Sequence, residues 1–256
     1  MQTNANATDI EAIERATLQA VAPEQIEILP GWLLPMDPGT INRARSAVPL
    51  HHGEHDLALL GTIVAHYEAV GVAPLFRLPG APSFNGWLRE LRARGFVHHQ
   101  PTFTQTCAVA DLAPAEPMAR VELASVPDAA WLAMYLGEGL DPVDGANRAR
   151  SLSRATGTRF ASIRENGATV ACGAASFSHG WLGVHGMRTA AAHRGRGLAG
   201  ELLRGMAQEA QRQGIEQAFL QVDAKNSAAL TLYRRLGFTS AWAYAYWRRV
   251  EPPRGP

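Results

Sequence analysis

The sequence predicts an α/β fold built on a mixed sheet, and composition, element order and turn residues carry this prediction. Of the 256 residues, 46% are hydrophobic and 18% are charged, so the chain can bury a substantial core. After residue 118 the apolar patterns follow the order strand, two helices, three strands, helix, strand, helix, strand, which is typical of a mixed sheet. Asn166-Gly167 and His179-Gly180 supply turn residues between the three consecutive strands.

The first half alternates helices and short strands. A helix-period apolar pattern begins near Ile10 and ends before Pro23, and a second helix is expected over residues 55–70. Strands are expected at GWLLPM, NRARSAVPL, APLFRL and TFTQTCAVADL. A further helix across SFNGWLRELRARGF precedes the last of these strands.

A domain boundary is predicted at residues 113–117, where APAEP has no hydrophobic periodicity. It divides the chain into an N-terminal domain, 1–114, and a C-terminal domain, 118–256. APLFRL, the helix after it and TFTQTCAVADL echo the strand, helix and strand that close the second half, and Gly95-Phe96 parallels Gly237-Phe238. We therefore expect a tandem arrangement of two related halves.

In the second half, RVELAS is expected to be a strand, and residues 128–136 and 143–155 are expected to be helices, the first of them capped by Asp128. The strands TRFASIREN, GATVACGAASF and GWLGVHGMRT follow. An amphipathic helix then leads to Gly214, which favours a helix end. IEQAFLQVD, NSAALTLYRRLGF and AWAYAYWRRV complete the half as strand, helix and strand, with the aromatic residues of the last strand expected in the core.

Several classes of function are disfavoured. A net charge of +1 argues against a nucleic-acid partner. Cys107 and Cys172 are far apart and outside any CxxC pattern, so buried thiols are expected and no disulfide or zinc site. HHGEHD, residues 51–56, is not expected to bind metal because adjacent histidines on a loop diverge. The sequence lacks a secretory signal and a membrane-spanning apolar run, so a cytoplasmic protein without a membrane partner is expected.

The stretch HRGRGLAG, residues 193–200, stands directly before an amphipathic helix. A helix N-terminus presents unpaired backbone N–H groups and the positive end of the helix dipole, so it attracts phosphate. The glycines let a ligand approach the backbone, and Arg194 and Arg196 add positive charge. The strip therefore indicates a diphosphate cradle, and the alternative is an ordinary strand-to-helix loop with solvated arginines.

Two other phosphate-binding patterns are disfavoured. Gly195, Gly197 and Gly200 satisfy the dinucleotide pattern GxGxxG, and Asp223 lies where a ribose-binding acid would be expected. However, only one helix and one strand follow Asp223, whereas a doubly wound nucleotide domain needs several more strand–helix units. A P-loop is excluded because no Gly-Lys-Ser/Thr triplet follows the glycines.

A second motif gives the strip a specific meaning. In residues 226–238, N-x-x-A-x-x-L-Y-x-x-x-G-F, Asn226 is placed to cap a helix whose apolar face includes Tyr233. RGRGLA and this motif together resemble, in order and spacing, the two acetyl-CoA motifs of the GNAT N-acetyltransferase superfamily, over roughly residues 120–250. The resemblance implies a mixed-sheet GNAT acyl-CoA N-acyltransferase fold, a degenerate GNAT-like half before it, and acetyl-CoA as cosubstrate with no metal.

The resemblance also implies a donor site. Backbone amides of the strip would hold the pyrophosphate, and the end of the preceding strand would pair with the pantetheine arm. That strand would splay from the next one and leave a slot for the thioester. The implied cofactor-binding residues are Met187, Arg188, Thr189, Arg194, Gly195, Arg196, Gly197, Leu198, Ala199, Gly200, Asn226 and Tyr233.

Three residues are candidates for proton transfer. Tyr233 matches the family position whose phenol protonates the departing CoA thiolate, and a phenol of pKa about 10 stays protonated at neutral pH. His185 is a candidate base for the amine, and the alternative is a half-buried strand histidine with no reactive role. Glu138, in a segment that commonly lines the acceptor site in this family, is a second candidate base, and the alternative is a solvated glutamate.

The expected function is transfer of an acetyl group from acetyl-CoA to a primary amine of a small molecule or peptide. An acyl-CoA-binding sensor without turnover is the alternative, which Tyr233 disfavours because a sensor needs no acid for a thiolate. The sequence leaves the acceptor amine open, and the oligomeric state as well, a homodimer being one option. If the tandem arrangement holds, the first half is expected to shape the acceptor pocket.

Overall fold

The computed structural model describes residues 7–113, 118–137 and 141–249. The first half begins with helix α1 (Ala7–Val21) and strands β1 (Gln25–Leu29), β2 (Trp32–Met36) and β3 (Val48–Pro49). It continues with α2 (Leu59–Ala69), β4 (Leu75–Pro79), α3 (Asn85–Ala93), the long strand β5 (Phe96–Ala108) and the short helix α4 (Val109–Leu112).

The second half begins with β6 (Glu122–Ala124), α5 (Ala129–Ala133) and α6 (Pro142–Arg154). Three strands follow, β7 (Thr158–Glu165), β8 (Ala168–Ser178) and β9 (Trp181–Thr189). The half closes with α7 (Leu198–Arg212), β10 (Gln217–Asp223), α8 (Ser227–Arg235) and β11 (Thr239–Arg249). This is the order of elements that the sequence predicts for the second half.

Eight strands join one sheet in the order β4-β11-β5-β10-β9-β8-β7-β6. β6 to β9 form an antiparallel meander, β9 and β10 are parallel, and the pairs from β10 to β4 are antiparallel. β1, β2 and β3 form a separate antiparallel sheet, linked to β4 by a parallel bridge between Ala47 and Phe76. The architecture is the predicted mixed α/β sheet.

Two strand–helix–strand units, β4-α3-β5 and β10-α8-β11, exchange their closing strands at the centre of the sheet. β11 lies between β4 and β5, and β5 lies between β10 and β11. Equivalent glycines precede the two closing strands, Gly95 with φ +79° and Gly237 with φ +88°. Each unit therefore has a gap between its own two strands that only the other unit fills.

Backbone pairing crosses the predicted boundary at residues 113–117, of which 114–117 lie outside the described residues. β5 pairs with β10 along residues 102–108 and with β11 along residues 96–106. The predicted domains, 1–114 and 118–256, thus share one continuous sheet.

Helix α1 connects the first half to the sheet of the second half. Its Ile13 packs against Trp181 of β9 and Phe219 of β10. On the same helix, Glu14 forms an ion pair with Arg77 of β4, and the two residues are 2% and 1% exposed. Burial raises the pKa of the Glu14 carboxyl, while the Arg77 guanidinium opposes this shift. Since a buried charge without its partner is costly, the ion pair holds α1 on β4, while Ile13 holds it on β9 and β10.

Three stretches of the first half fold differently from the prediction. Strand β1 was not predicted, because its side chains are largely exposed and give no core-facing pattern. In NRARSAVPL only Val48–Pro49 is a strand, and Asn42–Ala44 forms a 3₁₀ turn. The strand predicted at TFTQTCAVADL begins earlier, at residue 96, and its last four residues form α4, whose Val109 and Leu112 pack in the cluster under α7.

Local predictions of caps, turns and burial are confirmed. Asp128 Oδ1 accepts a hydrogen bond from the Trp131 N–H at 2.8 Å and so caps α5. Cys107 and Cys172 are buried free thiols, and burial raises the pKa of each to about 12. Of the closing-strand aromatics expected in the core, Tyr244, Tyr246 and Trp247 are buried, whereas Trp242 is partly buried. Among the described residues, no helix combines the length and apolar character needed to cross a membrane.

We expect residues 118–256, expressed alone, to be insoluble or unfolded, because β10 and β11 would flank an empty place in the sheet. Co-expression with residues 1–113 should restore a soluble complex that unfolds cooperatively. The cooperativity of unfolding is measured by thermal unfolding followed by circular dichroism, on each fragment and on the complex. A cooperative transition for residues 118–256 alone would show that the halves fold independently.

Candidate active site

The strip at residues 193–200 forms a tight loop whose backbone donors are free. Gly195 and Gly197 have left-handed φ angles of +76° and +80°, and Gly197 is the N-cap of α7. No side chain caps this helix. Within the described ranges, the N–H groups of residues 195–200 donate to no protein acceptor. Free donors at a helix N-terminus are the arrangement that binds phosphate oxygens.

The loop surface is open, and its two arginines differ in their partners. A Cβ added at Gly195 or Gly197 would meet nothing within 4 Å. Arg196 forms a bidentate ion pair with Glu165, with Nη2–Oε1 at 2.7 Å and Nη1–Oε2 at 3.0 Å. Among the described residues, Arg194 has one side-chain hydrogen bond, from Nε to the Thr189 carbonyl at 3.4 Å, and no ion pair. Arg194 is therefore the more available cation beside the glycines.

A slot opens between β9 and β10. The parallel strands pair only over residues 181–184 and 217–220, and the rest of β9 pairs with β8 alone. The register between β8 and β9 shifts around Gly186, whose φ is +60°, and such a bulge bends a strand away from its neighbour. The expected splay is present, and residues 187–189 pair with β8 on one edge only, while on the other edge the Thr189 carbonyl accepts a hydrogen bond from Arg194 Nε at 3.4 Å.

Tyr135, which the sequence analysis did not single out, holds the bulge in place. Its hydroxyl donates a hydrogen bond to the Gly186 carbonyl at 2.5 Å. The Arg188 guanidinium lies 5.4 Å from the Tyr135 ring centroid. Burial raises the pKa of the Tyr135 phenol, so the hydroxyl remains a donor. No local sequence pattern marks this residue, because its partner is a backbone carbonyl 51 positions away.

Tyr233 lies on the buried face of α8. It is 8% exposed and belongs to the apolar cluster that joins α7 to the sheet. Its ring meets Phe238 edge-to-face at 5.8 Å. Burial raises the pKa of the Tyr233 phenol to about 12. The phenol therefore stays protonated at neutral pH.

His185 lies on the opposite face of the sheet, toward α1. It is 4% exposed, with Nε2 3.1 Å from Ser176 Oγ and its ring 5.7 Å from that of Phe219. Burial, assisted by the charge of Arg43, lowers the pKa of the imidazole to about 3. A neutral imidazole with so low a pKa is a weak base, so this geometry favours the structural alternative for His185 over the base role.

Two further expected residues are placed less directly. Glu138 lies outside the described residues, so its role as a base stays a prediction. Asn226 Oδ1 accepts a hydrogen bond from the Ala229 N–H at 3.1 Å, which caps α8 as expected. Its contact with the cofactor stays a prediction.

A polar pocket of about 180 Å³ opens on the α1 side of the slot. Phe219 packs against α1, and Gln221 and Asp223 follow on the same face of β10, beyond the last residue paired with β9. Both halves contribute polar side chains to this pocket, among them Arg43, Gln100, Thr102, Arg148, Gln221, Asp223, Tyr244 and Tyr246.

Sequence reasoning missed this pocket because its residues come from five separate segments. Asp223 was considered only for a ribose, and Arg43 lies in a stretch predicted as a strand. The one available signal was the position of Asp223 at the carboxyl end of a strand, where α/β sheets often bind ligands.

HHGEHD precedes α2 as the glycine-arginine strip precedes α7, and it is packed among aromatic rings. His51 and His55 stack at 4.0 Å, His55 meets Trp32 at 5.1 Å, and His52 meets Trp242 at 5.2 Å. Among the residues described, no group of His, Cys, Asp and Glu side chains is arranged to hold a metal ion. The histidines of this segment thus contact aromatic rings, whereas the loop before α7 has open space beside its glycines.

Comparison with known proteins identifies a family and a fold. The family model described as "Probable histone acetyltransferase Rv0428c C-terminal" matches residues 7–247. A GCN5-related N-acetyltransferase from Kribbella flavida superimposes with a TM-score of 0.68 at 20% identity, over 95% of this chain and 96% of that one. A tandem GNAT protein from the clavulanic acid biosynthesis pathway gives a TM-score of 0.58 at 15% identity, over 96% and 97% of the two chains. At these identities the structural likeness concerns the fold.

A sequence relative adds a partial match. The uncharacterized N-acetyltransferase YobR of Bacillus subtilis (strain 168) is 31% identical over 87 residues. These residues are 34% of this chain and 35% of that protein, so the match spans about a third of the relative's length.

Gly197→Glu is expected to abolish acetyl-CoA binding, because the new carboxylate would stand among the free N–H groups and repel phosphate. Gly214→Glu is the matched control, since Gly214 also has a positive φ, +71°, open space around its Cβ and a place at the other end of α7. Calorimetric titration should give one acetyl-CoA per wild-type chain and no NAD binding. Equal affinity of the two variants would exclude the cradle.

His185 should make the protein less stable at mildly acidic pH. The unfolded chain binds the proton near pH 6.5, whereas the folded chain resists it down to about 3. The free energy of unfolding should therefore fall as pH drops below 6.5, by at most about 1.4 kcal/mol per pH unit for this group. Denaturant titrations between pH 7.5 and 4.5 measure the slope. His185→Gln should flatten it, while His179→Asn, at an exposed turn of the same hairpin, should not.

Proposed function

Because the chain belongs to the family described as "Probable histone acetyltransferase Rv0428c C-terminal" and has the GNAT acyltransferase fold, we propose that it transfers an acetyl group from acetyl-CoA to an amine. The observation that carries the proposal is the row of free backbone donors at the start of α7, beside a slot between two parallel strands. Few other ligands need both a diphosphate cradle and a narrow channel that leads from it into a sheet.

The donor would bind along the loop and the slot. Its diphosphate would accept hydrogen bonds from the N–H groups of residues 195–200, with Arg194 as the nearest available cation. Its pantetheine arm would pair with the free edge of β9 at residues 187–189. The thioester would then lie in the slot, between the α7 face of the sheet and the polar pocket on the α1 face.

The reaction forms one C–N bond and breaks one C–S bond. A neutral amine attacks the thioester carbonyl, and a backbone N–H of β9 stabilises the oxyanion of the tetrahedral intermediate. The intermediate collapses to the amide, and the electron pair of the C–S bond leaves on sulfur. An acceptor that begins as an ammonium ion loses two protons in all. One proton is balanced by the proton that the departing thiolate gains to become a thiol, and the other is released to solvent.

Tyr233 would supply the hydrogen bond to the departing sulfur. Its phenol, with a pKa of about 12, is protonated at neutral pH and can donate. A thiol, with a pKa of about 8.5, is a stronger acid than this phenol. The main effect of Tyr233 is therefore to stabilise the negative charge that develops on sulfur. This effect exists only in the transition state, and so it acts on kcat.

Of the two bases considered, His185 is the weaker candidate because burial holds the pKa of its imidazole at about 3. Glu138 stays the other candidate for the proton of the amine. We also propose that the first half, whose corresponding segment is packed with aromatic rings, shapes the acceptor pocket and binds no acetyl-CoA of its own.

Tyr233→Phe is expected to lower kcat by about 10²-fold or more while acetyl-CoA affinity stays within a few fold, because only the transition state loses a hydrogen bond. Release of free thiol from acetyl-CoA measures turnover, with amino acids, aminoglycosides and lysine peptides offered as acceptors.

The matched control for this variant is Tyr67→Phe in the first half, which removes a hydroxyl bonded to the Pro35 carbonyl and should leave kcat unchanged. Full turnover by Tyr233→Phe would exclude a role of the phenol in stabilising the departing sulfur. Tight acetyl-CoA binding without turnover on any acceptor would favour the sensor alternative.

A further inference from the structure

We propose that the acceptor is a small amine that also carries a carboxylate, bound in the polar pocket with its carboxylate on Arg43 and its ammonium group on Asp223. The inference rests on the proposed acetyl transfer, since it assigns the second substrate of that reaction. It concerns a different set of side chains from the donor site, so the two can be tested separately.

The pocket begins at the point on β10 where the pairing with β9 ends. Gln221 and Asp223 line it directly after Leu220, the last residue of β10 that pairs with β9. The donor loop and Tyr233 belong to the α7 side of the sheet, whereas the pocket opens on the α1 side. A thioester in the slot would therefore have the donor on one face and this pocket on the other.

The size and lining of the pocket suit a small polar molecule. Its volume of about 180 Å³ is below the ~300–1,000 Å³ of pockets that hold drug-sized ligands. Ile41 is the one aliphatic side chain among its lining residues. Tyr244 and Tyr246, which are 4% and 3% exposed, also line it. The pocket therefore suits a small polar group better than an apolar one.

Two charged side chains of the pocket, Arg43 and Asp223, lack an ion-pair partner among the described residues. Arg148 already bonds Asp144, with Nε 2.7 Å from Oδ2. Arg43 donates from Nη1 to the neutral Gln221 side chain at 3.2 Å, and within the described chain it forms no ion pair. Asp223 accepts a backbone N–H at Oδ1 and likewise has no cationic partner there. One free cation and one free anion in one pocket complement a zwitterion.

The guanidinium of Arg43 is also already oriented to bind a carboxylate. Its bond to Gln221 fixes the guanidinium beside β10, and its Nε is buried without a partner. Its charge lowers the pKa of His185 and opposes the rise in the pKa values of Tyr246 and of the buried Glu14 carboxyl, which is itself paired with Arg77. Because guanidinium groups bind carboxylates through paired N–H donors, a preoriented Arg43 would recognise a carboxylate with little loss of side-chain entropy.

The test is binding of matched amines to the full chain by saturation-transfer NMR. Free coenzyme A, which has no acetyl group, fills the donor site without turnover. The probes are the twenty common L-amino acids and, for each binder, its carboxamide, which keeps the amine and removes the negative charge. The peptide N-acetyl-Gly-Lys-Gly-amide represents a protein lysine without a carboxylate.

We expect at least one amino acid to bind and its carboxamide to bind at least tenfold more weakly. Arg43→Gln and Asp223→Asn should each weaken the binding of that amino acid at least tenfold without changing the affinity for coenzyme A. Arg45→Gln is the matched control, because Arg45 lies on the same loop but faces a separate cavity beside Glu68 and Leu75. Circular dichroism verifies that each variant is folded.

Three results would overturn the inference. One is that no amino acid binds, and another is that amino acid and carboxamide bind equally. The third is that the lysine peptide binds best and that its affinity is unchanged by Arg43→Gln. In each case normal coenzyme A binding would leave the proposed acetyl transfer standing, whereas failure of coenzyme A to bind would remove that proposal independently of the amine results.

Discussion

The exchange of β5 and β11 is the constraint on which the rest of the structure depends. Each strand pairs on both edges, so the centre of the eight-stranded sheet has no unpaired edge. Without the exchange, β10 would lose its antiparallel neighbour, and the slot between β9 and β10 would have a flexible wall. Helix α1 reinforces the same connection, since its Glu14 reaches Arg77 of β4 while Ile13 packs on the strands beside the slot. The first half thus supports the strands that border the proposed donor site.

In the proposed site, the donor and the acceptor are bound on different faces of one sheet. The α7 face offers backbone donors and the buried phenol of Tyr233, which suit a large anionic donor with a long flexible arm. The α1 face offers side-chain charge in a small volume. The gap between β9 and β10 beyond residues 184 and 220 connects the two faces. A donor and an acceptor that enter from opposite sides would meet there without competing for space, and the bulge at Gly186, held by Tyr135, keeps that gap open.

The sequence was informative where function rests on consecutive residues. The glycine-arginine strip, the caps at Asp128 and Asn226, and the alternation of strands and helices are all local patterns, and the structure contains them. It was uninformative where function rests on distant segments. The strand exchange joins residues more than a hundred positions apart, and the polar pocket joins Arg43 to Gln221 across 178 positions. The burial that makes His185 a weak base is likewise set by α1, which no local pattern around that residue reveals.

The place of β11 in the sheet has a consequence for synthesis of the protein on the ribosome. β11 is the last described strand of the chain, yet it lies between β4 and β5, two strands of the first half. The first half therefore emerges with a gap in its sheet that cannot close until residues 239–249 have left the ribosome. Domains that fold vectorially, N-terminal part first, hide their strand edges early, whereas this chain exposes the facing edges of β4 and β5 until β11 emerges. Between the emergence of β5 and that of β11, the nascent chain therefore carries unpaired strand edges that can aggregate.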